Sequence, residues 1–360
     1  MSYKTLITAV AATCAALTLH AQTALSPAQQ ADLDAWNAFC ETLKRNGAQV
    51  ISAHPQNHGI DRGEGLVYLA QQLALAVDET VSGRDQALPL LRLAQSTIRK
   101  GGLDGADAKY IRASLVSDGV YRLRGELGNP KLIALQVSQT APKYVAFASM
   151  SNAELKPDAD GHIELMISRQ RPAGWTGPWL PMDPAVDKLY IREYFNDWDN
   201  ERPSRYTLER VDAAPAPAPL DDAGARALLA AMNSEFATRT SLWTGMAERA
   251  RQHPNQLQQN PPSNQALKNN IYGQGWFKLK PDEALLIELD KPDALMWSFQ
   301  LGNFWWESFD YINATGSLNG HQAVAGSDGR YRLIISERDP GVPNWLATSG
   351  HPEGMIMFRY

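Results

Sequence analysis

The fold is decided by the stretch YIRASLVSDGVYRLRGELGNPKLIALQVSQ, residues 110–139. Apolar side chains alternate with polar ones in residues 110–116 and 120–126, and they run almost without interruption through 132–137. The triplets Ser117-Asp118-Gly119 and Gly128-Asn129-Pro130 separate these runs, and residues of these types favour tight turns. Short strands joined by turns at this spacing indicate antiparallel sheets of a sandwich or barrel.

The same alternation extends along the rest of the chain. It predicts strands at residues 144–148, 163–168, 189–195, 205–211, 284–289, 295–300, 331–336 and 355–358. We therefore predict an α+β protein that is mainly β, with two antiparallel β-sandwich or jelly-roll-like halves. No repeat of fixed period is visible in the sequence.

Three segments have helical periodicity. Ser26 precedes a proline and is followed three residues later by Gln29, which is the pattern of a helix N-terminus closed by a capping box. The apolar stripes are predicted to face the β-rich part of the protein, and residues 88–98 are predicted to continue the helical part. The predicted stripes are Leu33, Trp36, Cys40 and Leu43 in the first helix, and Leu66, Leu69, Leu73 and Val77 in a second helix over residues 62–81.

A Pro/Ala linker at residues 213–220 is the best internal boundary, because each proline restricts its own backbone and that of the residue before it. The linker precedes a long helix, predicted at residues 221–252 with Asp221 and Asp222 at its start. The predicted organisation is a helical segment at 22–105, a β-rich part at 106–212, the linker, and a helix with a second β-rich domain at 221–360.

The N-terminus has the features of a cleavable signal peptide at residues 1–21: one lysine, an apolar run of roughly fifteen residues, and small residues before Gln22. The apolar run is shorter than the roughly twenty residues that a membrane-spanning helix needs. We therefore expect a periplasmic or secreted protein; lipidation at Cys14 is the less favoured alternative. Cys40 is then the one cysteine of the mature chain, so no intramolecular disulfide is expected, and a buried inert thiol is favoured over a reactive one.

A formal net charge of −5 with interspersed signs gives no basic face for nucleic acid. The sequence has no polybasic or long amphipathic segment, so we do not expect stable membrane insertion of the mature chain. The expected partner is a small molecule or a glycan, whereas the oligomeric state is left open. The sequence contains no His-x-His, His-Glu-x-x-His or paired-cysteine pattern, no Gly-rich phosphate loop and no Gly-x-Ser-x-Gly motif, so we predict no cofactor and no obligatory metal.

Two aromatic motif regions crowd aromatic, carboxylate, amide and imidazole groups together: residues 171–179 with 192–201, and residues 297–322 with 339–345 and 350–351. Three motifs overlap these regions: GWTGPWLPM at 174–182, REYFNDWDNERPSRYTLER at 192–210, and RDPGVPNWLATSGHPEGMIMFRY at 338–360. Through these motifs the chain resembles bacterial proteins that carry the domain of unknown function 1214, over about residues 110–360. The resemblance implies a β-rich fold of sandwich type. It implies no established activity.

The two aromatic motif regions supply the candidate site residues. The candidates for acid/base catalysis or for holding a developing negative charge are Asp197, Asp339, His351, Arg192 and Tyr194. The candidates for substrate binding are Trp175, Trp179, Trp198, Trp306, Asp310, His321, Asn344 and Trp345.

Each candidate has a structural alternative. Trp297 and Trp305 lie beside strand-like sequence and are expected in the core, and the loop tryptophans have the same alternative. Asp199 and Glu201 are expected to cap a turn and to pair with Arg202 or Arg205, and a loop histidine is usually solvated.

The leading functional hypothesis is a periplasmic enzyme, a hydrolase or lyase, that acts on a small organic or carbohydrate-like substrate by acid/base chemistry in an aromatic-lined pocket. The alternative is a non-catalytic periplasmic protein that binds a glycan or hydrophobic ligand. A third reading is a structural envelope protein whose aromatic residues join its two halves. The first two require that the two aromatic motif regions meet in space.

Overall fold

The computed structural model describes residues 25–53, 59–85, 87–140, 143–214, 219–261 and 270–360. The predicted signal peptide, including Cys14, lies outside these ranges, as does the middle of the predicted linker. The predicted domain boundaries stay predictions. No helix within the described ranges is long and apolar enough to cross a membrane.

Four helices are described: α1 (Pro27–Ala53), α2 (Gly59–Ser82), the short α3 (Asn152–Leu155) and α4 (Asp222–Arg251). The predicted capping box of α1 is confirmed, because the Ser26 N–H donates to Gln29 Oε1 at 2.9 Å and the Gln29 N–H donates to Ser26 Oγ at 3.3 Å. Asp221 caps α4 as predicted, with its carboxylate accepting from the Gly224 N–H at 2.7 Å.

The buried faces of α1 and α2 differ from the predicted stripes. Trp36 and Leu66 are exposed by 51% and 59%. The buried residues are Phe39, Asn46 and Val50 in α1, and Asp61, Gly65, Tyr68, Gln72, Leu75 and Ala76 in α2. The prediction was wrong because it ranked positions by apolarity, whereas polar residues on the true face are buried with partners; the Gln72 amide, for example, donates to the Lys100 carbonyl.

In the described residues, nine strands build the first half of the β structure. One of them is a two-residue strand within residues 88–98, so the prediction that these residues are helical was wrong. The strands are β1 (Arg92–Leu93), β2 (Ala108–Ser114), β3 (Tyr121–Glu126), β4 (Leu132–Gln139), β5 (Val145–Ser151), β6 (His162–Ser168), β7 (Trp179–Pro181), β8 (Lys188–Tyr194) and β9 (Arg205–Arg210). They form a five-stranded sheet, β1-β2-β8-β4-β5, and a four-stranded sheet, β7-β6-β3-β9. Their apolar sides enclose a core that includes Leu123, Leu135, Leu165 and Ile191.

Within the described residues the second half contains eight strands, and it has its own core around Phe277, Phe299, Leu333 and Ile356. The strands are β10 (Gln256–Gln259), β11 (Tyr272–Lys278), β12 (Leu285–Leu289), β13 (Ser298–Gly302), β14 (Ser317–Asn319), β15 (Tyr331–Ser336), β16 (Trp345–Ala347) and β17 (Glu353–Arg359). They form sheets β10-β11-β17-β13-β14 and β12-β15-β16. The mainly antiparallel α+β class predicted from sequence is confirmed.

The two halves repeat one topology. Reading β10, β11, β13, β14 and β17 as counterparts of β1, β2, β4, β5 and β8 reproduces the strand order of the larger sheet. In the smaller sheets, the one parallel pairing of each half also corresponds, with Ile167 beside Leu180 and Ile335 beside Leu346. The chain thus contains a structural duplication that left no fixed period in the sequence, because the connections between equivalent strands differ in length.

The helices pack on the second half through a third core. Helix α4 contacts α1 and α2, and it also contacts β11 and β17. The ring of Tyr68 stacks on Trp305 at 5.5 Å between ring centres, and Trp243 stacks on Trp306 at 5.4 Å. Trp297 and Trp305 are 5% and 1% exposed, in agreement with their expected place in the core.

Candidate functional site

A cavity of about 470 Å³ lies between the two halves. One wall is the side of sheet β1-β2-β8-β4-β5 that faces away from the core of the first half. The other wall is formed by residues 293–296 and 298, together with residues 270–271 next to β11 and residues 359–360 at the end of β17. The lining residues are Gly105, Asp107, Ala108, Leu132, Ala134, Ser149, Met150, Ser151, Glu154, Tyr194, Asn270, Ile271, Asp293, Ala294, Leu295, Met296, Ser298, Arg359 and Tyr360. This volume suits a small organic molecule.

Asp107 is a buried polar residue of the lining: it is 5% exposed and directly precedes β2. Its Oδ1 accepts hydrogen bonds from the Asn319 amide at 2.7 Å and from the Trp198 indole N–H at 3.0 Å. Burial raises the pKa of Asp107, although these donors and Arg359 act in the opposite direction. A buried carboxyl with a raised pKa in a cavity wall is suited to proton transfer.

Asn319 joins the two aromatic motif regions. Its side-chain amide donates both to Asp107 and, at 3.1 Å, to the Asn196 carbonyl, and its Oδ1 accepts from the backbone N–H groups of His321 and Gln322. The side chain is completely buried. We call Asp107, Asn196, Trp198 and Asn319 the inter-half junction. The requirement that the two motif regions meet in space is therefore satisfied.

Arg359 and Tyr194 also belong to the polar part of the cavity wall. The Arg359 guanidinium is fixed by hydrogen bonds to the Leu103 carbonyl at 2.8 Å and to Gln300 Oε1 at 3.3 Å. Burial raises the pKa of Tyr194, so its hydroxyl stays protonated at neutral pH. Its predicted companion Arg192 lies two residues earlier on β8, where it donates to Gln136 at 2.9 Å and stacks over Tyr190.

Asp197 holds a turn. Its carboxylate accepts from the backbone N–H groups of Asp199 and Asn200 and from the Asn200 amide at 2.8 Å. The Asn200 amide chiefly lowers the pKa of Asp197, which does not favour a general acid. His321, with a side chain 56% exposed, places Nε2 at 3.9 Å from the Asp197 carboxylate. The turn also uses Glu201, whose carboxylate accepts from the Asn196 N–H.

Asp310 and Asp339 likewise bond to backbone groups of their own loops, and Asn344 bonds to backbone groups of a neighbouring segment. Asp310 accepts from the N–H groups of Ile312 and Asn313, and these and the Asn313 amide lower its pKa. Asp339 is exposed and accepts from the Gly341 N–H at 2.8 Å. Asn344, at a positive φ of 66°, bonds both the N–H and the carbonyl of Val324. These contacts are structural, and the predicted roles in catalysis or binding stay predictions.

The predicted tryptophans are dispersed. The indoles of Trp179 and Trp345 occupy equivalent places in the two halves, donating to Ser168 Oγ and to the Ser336 carbonyl. Trp175 donates to the Pro178 carbonyl and borders a second, shallow concavity, whereas Trp306 is buried in the core against Trp243. Trp198, at the inter-half junction, is the predicted tryptophan that reaches the cavity wall through Asp107.

His351 is buried, which differs from the solvated position usual for a loop histidine. Its Nδ1 faces the Thr348 carbonyl at 3.0 Å, and its Nε2 faces Glu64 at 3.0 Å and Asp61 at 3.6 Å. Burial acts to lower the pKa of His351, but the bond to Glu64 and the charges of both carboxylates outweigh it and raise the pKa. The motif at residues 338–360 marks His351 in the sequence, whereas its partners on α2 carry no such signal.

Sequence reasoning also missed Asp107, Arg359, Met296 and Asn319. Asp107 precedes the first recognised strand by three residues, and Asn319 precedes the His321 that was selected, so both adjoin recognised features. The available signal for Asp107 and Asn319 was their place as polar residues at the ends of strands, close to residues that were recognised.

Comparison with known proteins supports the resemblance. The profile described as "Protein of unknown function (DUF1214)" matches residues 133–196, from β4 to the end of β8, which is narrower than the 110–360 inferred from the motifs. No curated protein matches the chain.

The solved structures that the comparison finds include the following two. An uncharacterized protein from Burkholderia cenocepacia is 30% identical, with a TM-score of 0.85 over 91% of this chain and 92% of that one. A protein from Vibrio parahaemolyticus is 13% identical, with a TM-score of 0.47 over 80% of this chain and 95% of that one. With the motif match and a relative of this identity along nearly its whole length, the chain belongs to the DUF1214 family of proteins of unknown function.

Proposed function

We propose that this protein binds a small organic molecule in the cavity between its two halves. The observation that carries the proposal is the composition of the cavity wall: apolar side chains of Met150, Leu295 and Met296 accompany the buried carboxyl of Asp107 and the fixed guanidinium of Arg359. Ligand sites typically combine an apolar body with a few oriented polar groups. A ligand with an apolar body and one hydrogen-bonding head group fits this wall.

The experiment is a binding screen with the purified protein against aliphatic and aromatic carboxylates, amides and simple sugars, followed by intrinsic fluorescence. Trp198 is a built-in reporter because its indole bonds to Asp107. We expect Arg359→Met to weaken binding of a hit at least tenfold, since a hydrogen bond to a charged group contributes about 1.5–3 kcal/mol.

Arg332→Met is the matched control, because Arg332 lies on a strand of the same half and forms its ion pairs with Asp328 and Glu288 at the surface. Equal affinities of Arg359→Met and the unaltered protein would contradict the assignment of the ligand to this cavity.

Catalysis is the second candidate function, and Asp107 is the observation that favours it. Its raised pKa and its place in the cavity wall make it the acid/base candidate, in preference to Asp197 with its lowered pKa. Asp107→Asn retains an oxygen that accepts from Trp198 and Asn319. For an enzyme, we expect this variant to bind the ligand and lose turnover at least a hundredfold, as mass spectrometry of the products would measure. Unchanged turnover would exclude this role.

The proposal includes export to the periplasm, based on the signal-like residues 1–21. Expressed in a Gram-negative host, the full chain is expected to appear in the periplasmic fraction with Gln22 as its first residue. Intact-mass and N-terminal peptide measurements check this. A cytoplasmic protein that retains residues 1–21 would contradict it.

A further inference from the structure

A second group of chemically active side chains lies where α2 meets the loop before β17. Asp61 and Glu64 are one helical turn apart on α2, so both carboxylates project on one side of the helix. His351 comes from the other end of the chain, and its Nε2 lies 3.0 Å from Glu64 Oε2 and 3.6 Å from Asp61 Oδ1. One ligand atom from each of the three residues lies within 4.8 Å of the others.

The imidazole of His351 is oriented from behind. Its Nδ1 lies 3.0 Å from the Thr348 carbonyl, which accepts and does not donate, so Nδ1 carries the proton. The ring also stacks on Phe309 at 4.4 Å between ring centres. In the neutral ring this arrangement directs the Nε2 lone pair toward the two carboxylates. A backbone carbonyl behind the imidazole is the usual way in which proteins orient a metal-binding histidine.

Buried polar atoms around the three residues lack protein partners. Glu307 is 4% exposed, and its Oε1 has no hydrogen-bond partner in the described part of the chain. Its other oxygen faces the Asn303 amide, which also donates to Glu64 at 2.9 Å. The Thr348 hydroxyl is also buried without a partner among the described residues. Buried polar atoms are nearly always satisfied, so Glu307 Oε1, on a side chain linked to Glu64 through Asn303, needs a partner that the described residues do not supply.

We propose that Asp61, Glu64 and His351 bind one divalent transition-metal ion, with Glu307 linked to the site through the Asn303 amide that also bonds Glu64. One imidazole nitrogen and carboxylate oxygens form a donor set for an ion of the Zn²⁺ or Mn²⁺ type. The Glu64 side chain is 32% exposed, which gives the ion a route from solvent. None of these residues lines the inter-half cavity, so the proposal is independent of the proposed function. Bound there, the ion would link α2 to the loop that precedes β17.

The test is isothermal titration of the purified, chelator-treated protein with ZnCl₂ and with MnCl₂, accompanied by metal analysis after dialysis. We expect one equivalent of metal to bind. Glu64→Gln and His351→Gln are each expected to weaken binding at least tenfold. Glu64→Gln changes a partly exposed side chain, so the test remains decisive even if His351→Gln, at a buried position, fails to fold. Melting curves check the folding of both variants.

His162→Gln is the matched control. His162 belongs to an exposed group with Asp158 and Asp160 that has the same kinds of donor atoms. Retention of one equivalent by His162→Gln, together with its loss in Glu64→Gln, supports the proposal. Absence of stoichiometric binding by the unaltered protein, equal affinity in Glu64→Gln, or loss confined to His162→Gln would each overturn it.

Discussion

Replacing Glu79 with glutamine is expected to lower the free energy of unfolding by about 3–5 kcal/mol at neutral pH, the range for loss of one partner from a buried ion pair. Glu79 lies near the end of α2, and its side chain is 14% exposed. Its carboxylate contacts Lys188 at 2.5 Å and also pairs with Arg92, while Arg112 and Arg239 approach to 3.9 Å. The glutamine would leave several buried cations with too little compensating charge.

The pH dependence gives this prediction a second readout. Burial alone would raise the pKa of Glu79, but Lys188, Arg92 and Arg112 outweigh it and lower the pKa to about 2. A carboxyl group with a lowered pKa stabilises the fold above its ordinary pKa, near 4.5, and this contribution fades as the pH falls toward 2. The shift corresponds to about 3 kcal/mol.

Urea unfolding at pH 7 and at pH 3 measures both effects. The difference between the unaltered protein and Glu79→Gln should be large at pH 7 and smaller at pH 3. Glu41→Gln is the control, because Glu41 pairs with Lys44 on the exposed side of α1 and its replacement should change stability by less than about 1 kcal/mol. If Glu79→Gln lowers the stability as little as Glu41→Gln does, the four cations around Glu79 do not need its carboxylate, which would contradict the prediction.

Replacing Asn319 with alanine is expected to cost about 3–4 kcal/mol and to abolish ligand binding in the inter-half cavity. The substitution removes two donated and two accepted hydrogen bonds at a completely buried position, and unsatisfied buried groups cost about 1–3 kcal/mol each, with partial relaxation. Asp107 would lose its shortest side-chain donor, so its carboxyl group would shift from its place in the cavity wall.

Asn313→Ala provides the comparison. Asn313 is exposed, lies in the loop before β14, the strand that ends with Asn319, and donates its amide to Asp310 at 2.9 Å. Its loss should cost less than about 1 kcal/mol and leave binding unchanged. Denaturant unfolding together with the fluorescence titration separates the two variants. Equal stability and affinity in both would show that the inter-half junction is not fixed by Asn319.

Local sequence patterns were sufficient for most elements of the fold. Alternation and turn residues located β3, β6 and β15 to within one residue of their observed ends, because each strand has one side facing a core and its turns use Gly, Asn, Asp or Pro. Strands such as β10 and β11 escaped notice because QLQQ and YGQGWFK have weak alternation, and their pairing with neighbours defines them.

The site was less accessible from sequence. Asp197 and Asp310 resembled catalytic carboxylates by their aromatic neighbours, yet their nearest donors are backbone and amide groups two or three residues away. Asp107 resembled an ordinary loop residue, and the partner that marks it, Asn319, is 212 positions away. Composition and spacing carry no information about which distant loops converge.

The sequence by itself determined the α+β class, the helix caps, most strands and the family motifs, because these depend on contacts within a few residues. The tertiary structure decided which faces of α1 and α2 are buried, that the two halves repeat one topology, that Asp107, Asn196 and Asn319 meet beside a cavity, and that His351 faces Asp61 and Glu64. The physical reason is that burial and charge pairing are set by contacts between segments hundreds of residues apart, which the packing of sheets and helices brings together.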